Sequence, residues 1–106
     1  MPNSLRSLAE VDRLLHEPSR AMIVAILAAV ENADFVFLQR ETGLSKGNLS
    51  THLSKLEQAG YILIEKSFRG KIPMTLCSLT VEGRSAFDNY RKQLLRFVEQ
   101  TRQDQP

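Results

Sequence analysis

The chain has 106 residues, 42% hydrophobic and 25% charged, and carries a formal net charge of +2. That length suits one independently folding domain, and the composition is that of a globular chain and not a disordered one. The single cysteine, Cys77, excludes an internal disulfide, and the longest apolar run, residues 21–30, is too short to cross a bilayer.

The opening residues Met-Pro-Asn-Ser-Leu-Arg lack the charged-then-apolar order of a signal peptide, so a cytoplasmic protein without membrane association is expected. Residues 4–16 read as a first helix, with Ser4 as its cap and Leu8, Val11 and Leu15 on one stripe. Pro18 ends that helix and suits the first turn of a second, over about 18–31. Met22, Ile23, Ile26, Leu27 and Val30 make this second helix apolar almost all round, which places it at the centre of a core.

Asp34 can cap a short third helix holding Phe35, Val36 and Leu38, and Gly43 is the expected left-handed terminator. A tight turn, Gly43-Leu44-Ser45, leads into a fourth helix over 45–59, ended by Gly60. Two helices joined by a short Gly-containing turn are the outline of a helix-turn-helix, here 34–59. The period then changes. Residues 61–66 and 74–79 read as β-strands around a polar and basic tip, 67–73, so that 61–79 forms a hairpin. Thr80 caps a final helix over about 81–102, with Phe87, Tyr90, Leu94, Phe97 and Val98 at three- and four-residue spacing.

The fourth helix is unusual. On a helical wheel, Leu49, Leu53 and Leu56 form one narrow stripe, and Gly47, Thr51, Ser54 and Gln58 lie opposite, flanked by Ser50 and Lys55. Short side chains let the backbone approach another surface closely. Hydroxyl and amide groups can hydrogen-bond base edges or phosphates, and the scarcity of carboxylates removes repulsion from DNA. Ser45 caps the helix, whose free first-turn N–H groups favour an anion, and Lys46 and Asn48 project from that turn. An ordinary amphipathic helix with a serine-rich outer face is the alternative. The charge distribution favours the first reading. Residues 1–39 carry −2, residues 40–71 carry +3 and residues 72–106 carry +1, so the positive excess surrounds this helix and the hairpin. At the hairpin tip Arg69 and Lys71 bracket Gly70, as a minor-groove contact or as a solvated turn.

The stretch Gly-Leu-Ser-Lys-Gly-Asn-Leu-Ser-Thr-His-Leu-Ser-Lys-Leu-Glu-Gln-Ala-Gly-Tyr-Ile, followed by Phe-Arg-Gly-Lys-Ile-Pro-Met-Thr and Leu-Thr-Val-Glu-Gly-Arg, resembles the compact winged-helix regulators related to the MarR and ArsR families. The resemblance covers about 34–90. It implies a mainly α fold with a small β-hairpin, a winged helix-turn-helix spanning 1–106 as one domain. It also implies a DNA-binding transcriptional regulator, with the fourth helix in the major groove of double-stranded DNA. Carried over residue by residue, the contacts implied are Ser45, Lys46, Gly47, Asn48, Ser50, Thr51 and Lys55, with Arg69 and Lys71 in the wing. In such families the N- and C-terminal helices make a homodimer. The apolar stripes on helices one and five exceed what a monomer needs, and they assign Leu8, Val11, Leu15, Phe87, Tyr90, Leu94 and Phe97 to that interface.

There are departures from the family pattern. Metal-sensing ArsR-like proteins carry a cysteine pair in the third helix, where this chain has Phe35-Val-Phe-Leu-Gln-Arg-Glu-Thr42, and the chain is shorter than a typical MarR protein. His52 lacks ligand partners, with only His16 and Cys77 elsewhere, so no metal or other cofactor is expected. No nucleophile–base pairing or glycine-rich phosphate loop is evident, so an enzyme is not expected. Two other functions stay open: a winged-helix protein-interaction module without DNA binding, and a switch answering to a small-molecule effector that the sequence does not identify.

Overall fold

The computed structural model describes residues 3–102. Among the described residues, five α-helices, one two-residue strand and two eight-residue strands follow in the order α1 (Asn3–Arg6), α2 (Pro18–Ala29), β1 (Ala33–Asp34), α3 (Phe35–Thr42), α4 (Lys46–Gln58), β2 (Ile62–Arg69), β3 (Ile72–Leu79) and α5 (Val81–Gln100). No helix among the described residues is long and apolar enough to cross a membrane.

The helix expected over 4–16 is broken. α1 is a single turn, a 3-10 turn follows over Ser7–Glu10, and Val11 is extended at ψ 154°. Ser4 lies within α1, and its side chain is outside the described residues. The break has a local cause. One carboxylate oxygen of Asp12 accepts the backbone N–H groups of Leu14 and Leu15 at 2.9 and 3.3 Å, competing with helical pairing. The other accepts the Tyr61 hydroxyl at the foot of the hairpin. That hydrogen bond is the main reason the Tyr61 phenol is pushed up to about 12. Held this way, the segment folds back on the domain and buries Val11 and Leu15.

α2 begins as expected, with Pro18 in its first turn and the Glu17 side chain accepting from the Arg20 N–H at 2.8 Å. Ile23, Val24 and Leu27 are fully buried, but Met22 is exposed, so α2 lies against the core on one side and is open on the other. Asp34 caps α3 through the Phe37 N–H at 2.8 Å, and Gly43 takes φ 73° at its end.

The hairpin is longer and tighter than expected. β2 and β3 pair antiparallel from Ile62↔Leu79 to Arg69↔Ile72, leaving only Gly70 and Lys71 to connect them. Gly70, at φ 66°, supplies the positive φ that a two-residue hairpin needs. A third strand, β1, pairs with β3 through Ala33↔Cys77 and Asp34↔Leu76, so β3 is central. Cys77 is fully buried there, and burial pushes its thiol up to about 11. The core joins Leu38, Leu49, Leu53 and Leu56 of the helix pair to Ile62, Cys77 and Tyr90.

Candidate nucleic-acid interface

Leu49, Leu53 and Leu56 are between 0 and 2% exposed, and they seat α4 on the core by one narrow stripe. Everything on the opposite side of α4 faces solvent: Lys46, Gly47, Asn48, Ser50, Thr51, Ser54, Lys55 and Gln58 are all exposed. Ser45 precedes the helix and caps it, its hydroxyl accepting the Asn48 N–H at 3.1 Å. Thr51 donates its hydroxyl proton back to the Gly47 carbonyl at 3.0 Å, so in this rotamer it offers an outside partner only lone pairs. Lys46 and Ser50, one turn apart, keep their polar ends outward.

α4 is held from behind by a polar contact that the sequence did not announce. The Arg20 guanidinium lies 3.0 Å from His52 Nδ1, and its Nε donates to the Leu14 carbonyl at 2.6 Å. The His52 side chain is only 18% exposed. It is therefore a fastening between α2 and α4, on the side away from the exposed face.

The hairpin projects beside α4 and carries Arg69 and Lys71 exposed at its end. Between hairpin and helices lies an open cleft of about 1030 Å³, lined by Phe35, Arg40, Lys46, Ser50, Lys66, Phe68, Arg69 and Pro73 among others. Four of its lining residues are basic, and the one acid, Asp34, is engaged in capping α3. The sequence pattern does not single out Arg40 and Lys66, which line this cleft. The positive excess over 40–71 contained both, but only the fold shows that they share this cleft with Lys46. Arg40 sits 5.8 Å from the centre of the Phe37 ring, and Lys66 Nζ donates to Thr75 Oγ1 at 3.3 Å.

The residues assigned to a dimer interface divide. Val11, Leu15 and Tyr90 are 5, 0 and 6% exposed in the single chain, so they are taken up by its own core and leave little surface for a second copy. Tyr90 is further fixed by its hydroxyl, 2.8 Å from His16 Nδ1. Leu8, Phe87 and Leu94 are partly buried against that core, and Phe97 is half-buried. The large apolar side chains that α5 presents to solvent are Val81 in its first turn and Leu95 and Val98 toward its end, and Leu95 is not one of the residues of the periodic stripe.

A buried helix pair, an exposed second helix of small polar residues and a basic hairpin beside it define a winged helix-turn-helix with a cationic binding face. The family described as winged helix DNA-binding domain matches residues 19–98. The chain belongs to that family. It is 34% identical over 84 residues to an uncharacterized protein of Methanocaldococcus jannaschii, covering 78% of this chain and 90% of that one. It is similar to the structure of a transcriptional regulator homologue from Pyrococcus horikoshii OT3, with a TM-score of 0.84 at 23% identity over 93% of this chain and 97% of that one. It also resembles a MarR-family transcriptional regulator from Silicibacter pomeroyi, with a TM-score of 0.64 at 17% identity over 98% and 67% of the two chains. The fold is that of MarR-type transcriptional regulators.

Proposed function

We propose that two copies of this chain bind a near-palindromic site on double-stranded DNA in the cytoplasm and regulate transcription from it. The observation that carries this reading is the exposed face of α4. Its small polar and basic side chains are left uncovered by the chain's own packing while its leucines are fully buried. Gly47 supports the same reading. A Cβ there would meet nothing within 4 Å, so internal packing does not require glycine, which costs a helix up to about 1 kcal/mol relative to alanine. A bare backbone is useful at that position if an outside surface must come close.

In this reading α4 enters the major groove, with Asn48 directed to adenine and Lys46 to guanine, each contributing about 1–3 kcal/mol of discrimination. Ser45, Ser50 and Lys55 hold the phosphate backbone, and Thr51 accepts from a base amino group rather than donating to phosphate. Arg40 and Lys66 join Lys46 on the strand that passes between helix and hairpin. Arg69 and Lys71 reach the minor groove beyond it. Arg69→Ala is expected to weaken binding and to lower the slope of log affinity against log salt by about one. Titrating labelled duplex at several salt concentrations checks this, and an unchanged slope removes Arg69 from the interface.

The second copy meets the outer side of α5. Leu95 and Val98 stay 60 and 56% exposed, and the Cα radius of gyration, 16.3 Å, exceeds the about 13 Å of a compact domain of this length. An elongated chain with uncovered apolar residues on its last helix favours pairing. In a dimer the two α4 helices lie about 34–36 Å apart, in successive major grooves. Leu95→Glu should give monomers by sedimentation equilibrium with an unchanged circular dichroism spectrum. A persistent dimer would place the contact elsewhere.

A further inference from the structure

We propose that the wing is a wedge that bends the duplex, with Phe68 as the inserted group. The proposal rests on the DNA-binding reading above and adds a specificity-determining residue to it. Phe68 and Ile72, at the end of the hairpin, are 69 and 68% exposed. Both are mostly uncovered by the fold, and two large apolar side chains placed together at a solvent-facing tip, within a basic surround, mark a contact surface. The strand register gives their directions. Phe68 lies opposite Pro73, on the same face of the ribbon as Ile62, Ile64 and Cys77, and so continues the core-facing row past the last core residue, out over the basic cleft. Arg69 lies opposite Ile72 on the other face, one residue before the Gly70 turn.

The partner that fits is duplex DNA. Lys66, Arg69 and Lys71 surround the apolar groups, which disfavours a second copy of the same tip and favours a polyanion. The minor groove of B-form DNA is about 6 Å wide. Paired strands are already about 4.8 Å apart before side chains are added on both faces. A hairpin carrying Phe68 and Pro73 on one face and Arg69 and Ile72 on the other therefore does not enter an undistorted groove. It enters one opened by partial unstacking, where an apolar wedge kinks the duplex toward the major groove. Pyrimidine–purine steps open most readily and are the steps this wing selects.

The test uses the full chain and a duplex selected by it from a random pool, labelled at both ends for energy transfer. Wild type should shorten the end-to-end distance on binding. Phe68→Ala should abolish most of that change and weaken binding about tenfold. It should leave the salt slope unchanged, because no charge is removed, whereas Arg69→Ala lowers that slope. Exchanging a TA step for AA under the wing should weaken wild type more than Phe68→Ala, a dependence that a merely structural role would not produce. Phe68 is exposed, so the variant should keep the wild-type melting temperature. If wild type binds the duplex and Phe68→Ala bends and binds it equally well, the wedge is overturned and the regulator reading survives. If wild type retains no duplex even at low salt, both fall.

Discussion

Gly83→Ala is expected to destabilise the domain by about 3 kcal/mol, read as a lowered urea midpoint with little change in slope. Gly83 is buried in the first turn of α5, and a Cβ there would lie 2.1 Å from the Tyr61 carbonyl oxygen and 2.9 Å from both the Tyr61 carbonyl carbon and Leu79 Cδ1. The obstacle is mostly backbone, which cannot swing aside as a long side chain could. The helix cannot back away either. The Thr80 N–H donates to the Tyr61 carbonyl at 3.0 Å, and the Thr80 hydroxyl reaches the Gly60 carbonyl at 2.6 Å while accepting the Gly83 N–H at 2.9 Å. Relief of the clash breaks several of these bonds at once. Wild-type stability in this variant would show that α5 does not sit so close to the foot of β2.

Ser50→Glu should reduce DNA affinity about a hundredfold at moderate salt without altering the melting temperature. Ser50 is exposed, one turn beyond Lys46, and lines the basic cleft. In the proposed complex a carboxylate there would face the phosphates and also pair with Lys46, withdrawing a cation from them. Ser50→Gln is the control, since it adds similar bulk without charge. Equal affinities for the two variants would move the duplex off this side of α4. A wild type that binds no duplex would favour the protein-interaction alternative for the same fold.

The parts legible in the sequence were those with local signals. Asp34 and Ser45 each make the caps their residue types suggest, Gly43 takes the left-handed conformation, and three leucines mark the inner stripe of α4. The break in the first helix was not legible. It depends on Asp12, whose decisive partner, Tyr61, is 49 residues away, and periodicity over 4–16 contains nothing of that contact. β1 is two residues long and exists only through pairing with β3. The stripe Phe87, Tyr90, Leu94 is plainly apolar in the sequence, but an apolar stripe does not say whose interior it enters. Tyr90 turned inward with Val11 and Leu15, leaving Leu95 and Val98 outside. The basic residues of the cleft were visible as a charge excess, while their convergence depended on how far the hairpin overhangs α3 and α4.

The clasp between Gly60, Tyr61 and Thr80 has a consequence beyond stability. It joins the exit of the helix proposed to read bases to the start of the helix proposed to join the copies, with no slack between them. In the proposed dimer each protomer would act as one stiff lever across this junction, and the spacing of half-sites it tolerates would be set by the angle at which two α5 helices cross. An agent that released such a dimer from its operator would act most directly on that crossing, because bending between reader and joint would have to break this clasp.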